Sequence, residues 1–190
     1  MPWKTLKVWG FACVLTAAPP ARTQTAEGAR IDVGAQRMLT SRDIQFAVRA
    51  AQSGLAEIQL GKMAAEKASD PDLRAFGQQM VDDHTKANDQ LSSVTHQAKM
   101  TLPDTMNARD QATYDRLSQL SGTEFDKAYA ADMVRDHERD VKEFHKEVNN
   151  GKDPKIRNFA SQTLPVLQRH LDKIEYIAPK VNGSSAKGTW

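Results

Sequence analysis

Two short stretches of the 190-residue chain are nearly identical, and each ends in a histidine. MVDDH occupies residues 80–84 and MVRDH occupies residues 133–137, although the chain contains only five histidines. Imidazole is the commonest metal-binding side chain and also an acid or base near neutral pH. The repeat therefore indicates either one site built from both copies or two helices that meet the same packing requirement.

The first half of the chain predicts two long helices. The first begins at Thr40 or Ser41, both good capping residues, with Asp43 in its first turn. The second opens with Asp70 followed by Pro71, which combines a capping acid with a proline where a missing N–H costs nothing. A proline-bearing connector at 100–110 follows, and then a short helix is expected around 110–120.

The second half predicts two further long helices. The third begins at Ser121, where Ser121 and Glu124 have the spacing of a capping box, and it stops at the NNG of residues 149–151. The fourth opens with Asp153-Pro154, should kink at Pro165 and should end at Pro179.

Each of these helices has one apolar face, and four such helices over residues 41–178 predict an all-α four-helix bundle. DPDLRAFGQQ at 70–79 matches DPKIRNFASQ at 153–162 in Asp, Pro, Arg, Phe and Gln at identical offsets. The bundle is thus expected to consist of two similar helical hairpins, with the short extra helix in the crossover between them. Gly54 and Gly61 in the first helix indicate a close approach by a neighbouring helix.

Each apolar face is interrupted by one side chain that can bind a metal: Glu57, His84, His137 and His170, in helix order. Glu57 lies 13 residues before Asp70 and His84 lies 14 after it. His137 and His170 lie 16 before and 17 after Asp153. Residues equidistant from the turn of an antiparallel hairpin lie at one level, so all four side chains are expected in a single layer.

Three imidazoles and one carboxylate suit a single transition-metal ion, with zinc or copper favoured and iron as a further choice. Charged groups are seldom buried without partners, so Glu57 in particular needs an explanation. The alternative is a hydrogen-bonded polar network with buried water, which fixes the register of the helices without any metal.

Four neighbouring residues bear on this layer. Asp83 and Asp136 each precede a histidine by one position, so each can orient a ligand on an adjacent helix or simply face water. Met80 and Met133 lie one turn before His84 and His137; their thioethers suit copper(I), although filling the core is the commoner use of methionine. His96 and His145 are expected at the surface.

The N-terminal 26 residues are expected to be a secretory signal. Two lysines precede the apolar run VWGFACVLTAA, and small residues follow, with cleavage expected between Ala18 and Ala26. The run is too short for a membrane span of about 20 residues, although an uncleaved anchor is the alternative. Residues 27–40 are expected to be a flexible leader and residues 179–190 a disordered tail.

Removal of this signal changes the charge and the thiol content. Three basic and no acidic residues of the 26 basic and 24 acidic ones lie in 1–26, so the remainder has a formal net charge of −1. A nearly neutral domain gives no electrostatic reason to bind nucleic acid. The only cysteine, Cys13, also lies in this segment, so the mature chain is expected to contain no disulfide, and packing must stabilise it.

The stretch LAEIQLGKMAAEKASDPDLRAFGQQMVDDHTKANDQL, followed by LPD, LSGTEFDKAYAADMVRDHERDVKEF and LPVLQRHL, resembles a bacterial family built on a domain of unknown function. Members of this family are exported and often labelled outer membrane proteins. The resemblance covers about residues 43–178 and implies a ferritin-like four-helix fold, but it implies no activity.

One departure from enzymatic ferritin-like proteins is informative. Their two-iron sites use Glu-x-x-His on two helices, whereas Val81, Val134 and Leu167 stand three residues before the three core histidines. The sequence therefore favours an exported protein with a single metal site for storage, buffering or sensing in the cell envelope. A structural or interaction module related to stress is the alternative. An enzyme ranks third, behind these two classes, because the sequence shows no nucleophile, phosphate-loop or cofactor motif.

Overall fold

The computed structural model describes residues 39–183 of the protein, and in this range it contains five α-helices. Their bounds are α1 Ser41–Lys67, α2 Pro71–Gln97, α3 Ala108–Ser118, α4 Gly122–Asn150 and α5 Pro154–Val181. The all-α class, the four long helices and the short extra helix in the crossover are therefore confirmed.

The four long helices pack as two hairpins. α1 packs most extensively against α2, and α4 against α5, while α2–α5 and α1–α4 contacts join the two hairpins. The short helix α3 lies in the crossover between α2 and α4 and contacts both α1 and α4. This arrangement brings one apolar face of each long helix into a common core.

Three of the four long helices begin at the predicted capping side chains. Thr40 and Asp43 form a full capping box at α1, in which each side chain bonds the backbone of the other. Asp70 and Asp153 each accept two backbone N–H groups at the start of α2 and α5. The two hairpin turns are therefore built alike, as the repeated Asp-Pro pairs predict.

Two local predictions were wrong. Ser121 is the N-cap of α4 but makes no side-chain capping bond, because Gly122 has a φ of 58°, outside the helical region that a capping box requires. Pro179 does not end α5, which continues to Val181. A proline in the last turn removes only one backbone hydrogen bond. Pro165 also lies inside α5, and the kink expected there stays a prediction.

The core consists of two apolar clusters with a polar layer between them. One cluster includes Leu60, Phe76, Met133 and Ile174, and the other includes residues such as Phe46, Leu91, Phe144 and Leu167. Along every long helix, the predicted ligand lies between the residues of the two clusters. The layer therefore lies near mid-bundle, and its four side chains are buried.

Close approach of α1 and α2 depends on glycine. A Cβ on Gly61 would lie 2.6 Å from the carbonyl oxygen of Gly77, and a Cβ on Gly77 would lie 2.6 Å from that of Gly61. A Cβ on Gly54 would instead collide with the side chain of Asn88. The predicted close approach is thus observed at Gly61. Gly77 is its partner on α2, and the sequence pattern did not predict that role.

Several predictions lie outside the described residues: the signal at 1–26 with Cys13, the leader up to residue 38 and the tail from residue 184. The last two residues predicted for the leader belong with the bundle, since Leu39 packs on a core cluster and Thr40 caps α1. Among the described helices, none combines the length and apolar character needed to cross a membrane.

Candidate metal centre

The four predicted ligands meet in one layer, each from a different long helix. Glu57 is 2% exposed, His84 5%, and His137 and His170 0%. The imidazole centroids are 6.0 Å apart for His84 and His137, and 5.4 Å apart for His170 and each of the other two. The distances in sequence from the two turns therefore predicted correctly that these side chains lie at one level.

Glu57 lies beside two of the imidazoles. Its Oε2 is 3.0 Å from His84 Nδ1, and its Oε1 is 3.7 Å from His137 Nδ1. The shorter contact is close, but its alignment is not that of a hydrogen bond, and within residues 39–183 neither carboxylate oxygen has a hydrogen-bond partner. A buried carboxyl group in this condition is costly unless a cation or a proton satisfies it.

The hydrogen bond of His137 identifies its tautomer. His137 Nδ1 lies 2.9 Å from the carbonyl oxygen of Met133, one turn earlier in α4. A carbonyl oxygen can only accept, so Nδ1 carries the proton and donates it. The lone pair of His137 is therefore on Nε2, which is buried and has no partner among the described residues.

The tautomer of His170 follows from Asp83. His170 Nε2 lies 2.8 Å from Asp83 Oδ2 across the α2–α5 contact. Burial by itself would raise the pKa of Asp83, but the bond to His170, the charges of His170 and His84 and the bond to Gln79 together outweigh it and leave the pKa below its ordinary value. Nε2 therefore donates to an ionised carboxylate, and the lone pair lies on Nδ1. A histidine held by a carboxylate in this way is the usual arrangement behind a metal-binding imidazole.

The three histidines present nitrogens to a common space. One ring nitrogen from each of His84, His137 and His170 lies within 4.8 Å of the others, and all three residues are buried. His84 Nε2, His137 Nε2 and His170 Nδ1 lack hydrogen-bond partners within residues 39–183. Nitrogens about 2.1 Å from a tetrahedral ion are about 3.4 Å apart, a separation that falls within this 4.8 Å limit.

Burial controls the protonation of this layer. It lowers the pKa of His84, His137 and His170 to about 4 each, because a charged imidazole loses its hydration there. Burial also raises the pKa of Glu57 to about 7, against the opposing attraction of His137. At neutral pH the three imidazoles are thus neutral, which is the form that binds metal.

The other residues singled out in the sequence differ in their contacts and burial. Asp83 orients His170, whereas within residues 39–183 no hydrogen bond or ion pair joins Asp136 to a histidine: it pairs with Arg139 and lies 3.5 Å from Arg109. Both aspartates lie about 100° around their helices from the adjacent histidine, so packing against neighbouring helices decides which partner each one meets. Met80 and Met133 are fully buried in the apolar cluster around Leu60 and Phe76. His96 and His145 are exposed, as predicted.

Two functional candidates next to the layer were missed by sequence reasoning. Asp140 is 7% exposed, and Ser53 donates a hydrogen bond of 2.6 Å to its Oδ2. Burial, together with the charge of Glu57, raises the pKa of Asp140 to about 7. The available signal was spacing: Asp140 follows His137 by three positions and Ser53 precedes Glu57 by four, so both share a helix face with a ligand.

The fold and the layer define an all-α bundle with a buried three-histidine group able to hold a metal ion. The chain belongs to the family described as domain of unknown function DUF4142, whose model matches residues 29–177. A comparison with curated proteins finds no match.

A solved structure, that of a DUF305 fragment from Deinococcus radiodurans, is similar in fold. It has a TM-score of 0.66 and 13% sequence identity, and the match covers 75% of this chain and 98% of the fragment. At this level of identity the similarity shows the fold alone.

Proposed function

We propose that the protein binds one transition-metal ion in the bundle core, through His84, His137, His170 and Glu57, for storage, buffering or sensing in the cell envelope. The observation that carries this proposal is the convergence of three buried imidazoles, each with one ring nitrogen that lacks a hydrogen-bond partner within residues 39–183, beside a carboxylate that also lacks one there. Loss of hydration at four polar groups is costly, and one ion can satisfy all four together.

The donor set favours zinc or copper, with iron as a further choice. Three imidazoles and one carboxylate complete a tetrahedral zinc site and also suit copper(II). Met80 and Met133 lie in the apolar cluster, which supports their role as core residues over a role as copper(I) ligands.

The second candidate is a structural or stress-related interaction module. It is favoured by the contact of Glu57 with His84 and by the bond between His170 and Asp83, because both can fix helix register without metal. Elemental analysis of protein purified without a metal-binding tag separates the two candidates. We expect close to one equivalent of zinc, copper or iron, whereas metal-free protein that also rejects added zinc would favour the structural role.

Substitution of Asp83 tests how the site is held. The neutral amide of Asp83→Asn accepts a weaker hydrogen bond from His170 Nε2 than the carboxylate does. The tautomer and orientation of the His170 ring are then less well defined. We expect zinc affinity to fall about tenfold, the lower end of the range for such partners. Asp82→Asn is the matched control, because Asp82 is exposed and, within residues 39–183, accepts a hydrogen bond from Gln78 alone.

Titration with a chromogenic competitor gives both affinities. A parent-like affinity for Asp83→Asn would mean that the bond to Asp83 is not part of the binding site.

Export belongs to the same proposal. The charged, apolar and small-residue order of residues 1–26 supports a secretory signal and a periplasmic or other envelope location. Mass spectrometry of protein from its native envelope tests this, and an intact Met1 in a cytoplasmic fraction would contradict it.

A further inference from the structure

The candidate metal centre is buried, so an ion needs a route to it. The side chains of His137 and His170 are 0% exposed, and those of Glu57 and His84 are 2% and 7% exposed. Close-packed interiors do not admit a hydrated ion without an opening. The residues between the layer and the surface therefore determine how fast metal enters and leaves.

A small cavity adjoins the layer. It has a volume of about 20 Å³, and Glu57, His84, Ser53 and Asp140 are among the residues that line it. A cavity of at least about 10–15 Å³ with polar walls can hold one water molecule. One particle the size of a water molecule therefore fits beside Glu57 and His84.

A surface cleft adjoins this cavity. The cleft lies between α1, the start of α3 and α4 and has a volume of about 410 Å³. It shares four lining residues with the cavity: Ala50, Ser53, Asp140 and Phe144. The shared residues stand at the boundary between solvent and the metal layer, and Asp140 is the only one of them that carries a carboxylate.

The position of Asp140 suits a temporary ligand. Its Oδ2 accepts from Ser53 at 2.6 Å, and its Oδ1 accepts from Arg139 Nε at 3.1 Å. Arg139 also has Asp136 as an ion-pair partner at 2.5 Å, so it can leave Asp140 without becoming unpaired. Arg49 and Glu143 pair with each other at the exposed part of the cleft.

We propose that this cleft is the route by which a divalent cation reaches the core, and that Asp140 binds the ion in transit as it sheds water. The inference rests on the proposed function, because it concerns traffic to that same site. A hard carboxylate oxygen compensates for lost water ligands during passage. Ser53 Oγ holds the carboxylate at the boundary, and the cavity beyond receives the ion next to Glu57 and His84.

Exchange kinetics test the route. Zinc uptake is followed by stopped flow against a chromogenic zinc chelator, and zinc release is followed with an excess of the same chelator. Removal of a transit ligand raises one barrier that uptake and release share. We therefore expect Asp140→Asn to slow both rates about tenfold while the ratio of the rates, and hence the affinity, stays within about twofold.

Two further variants sharpen the result. Glu143→Gln removes a carboxylate that lines the cleft but not the cavity, so we expect parent rates. Ala50→Leu narrows the shared boundary without loss of charge, and we expect it to slow both directions as well. If Asp140→Asn does not fold, the exchange rates of Ala50→Leu test the route in its place.

The outcomes are separable. A parent protein that binds no zinc would overturn the proposed function itself. Zinc binding with parent rates in Asp140→Asn, or in Ala50→Leu if Asp140→Asn does not fold, would overturn the route alone. A change in release only, with a matching loss of affinity, would make Asp140 a permanent ligand, which also contradicts transit. Equal slowing in Glu143→Gln would assign the effect to the charge of the cleft and overturn the role of Asp140.

Discussion

In the presence of zinc at about pH 7.5, we expect the melting temperature of the protein to rise by roughly 5–10 °C once the free ion exceeds its dissociation constant about 100-fold. The gain follows from mass action, since the assembled layer exists only in the folded chain. Scanning calorimetry or circular dichroism with and without zinc measures it. The expected shift corresponds to about 2.7 kcal/mol in the free energy of unfolding.

Histidine variants localise this gain. His84→Ala and His137→Ala each remove one of the three buried imidazoles, and we expect each to abolish most of the shift. His145→Ala is the control, since His145 is exposed and contacts only Gln168 among the described hydrogen bonds. Each variant is compared with itself, with and without metal, because a core substitution changes the baseline. A full zinc response in all three would exclude a shared site.

Acidification should remove most of the zinc response, and Glu57 should be the cause. Histidines with ordinary pKa values would set this dependence at about pH 6.5. In the fold, the pKa values of the three buried histidines are about 4, so these imidazoles stay neutral well below that pH. Glu57, with a pKa of about 7, instead holds a proton that the ion must displace. From about pH 7 to about pH 5, we expect affinity to fall roughly fiftyfold.

Glu57→Gln tests this assignment. The amide cannot titrate, so we expect weaker binding than the parent at about pH 7.5 and an almost flat affinity down to about pH 5. Isothermal titration calorimetry across this range measures the slope. A variant that keeps the slope of the parent would show that the imidazoles, and not Glu57, compete with protons for the metal.

Metal-free stability supplies the reference at each pH. The pKa of Glu57 rises from 4.5 to about 7, so its contribution to stability is complete below 4.5 and is lost as the pH rises through about 7. The histidine pKa values fall from 6.5 to about 4, so their contribution is present above 6.5 and is lost as the pH falls through about 4. The two effects oppose each other between 4.5 and 6.5, which makes comparison at constant pH necessary.

Local patterns predicted most of the fold because the chemistry that starts helices is local. Asp70 and Asp153 cap the helices that follow them, and apolar spacing identified the buried faces. The failures were also local in cause. Ser121 has the spacing of a capping box, but it precedes Gly122, which has a positive φ. Pro179 lies in the last turn of α5, where a proline did not end the helix.

The sequence by itself determined which side chains share a level, since helical rise and the position of each turn are enough to align Glu57 with His84 and His137 with His170. Rotation about each helix axis and packing between hairpins were decided only by the tertiary structure. Asp83 and Asp136 occupy equivalent places in the repeat, yet one bonds His170 and the other pairs with arginines. Spacing along α4 puts Asp140 on the same face as His137, but its bond with Ser53 depends on the packing of α1 against α4. Such contacts depend on neighbours distant in sequence, and no local spacing specifies them.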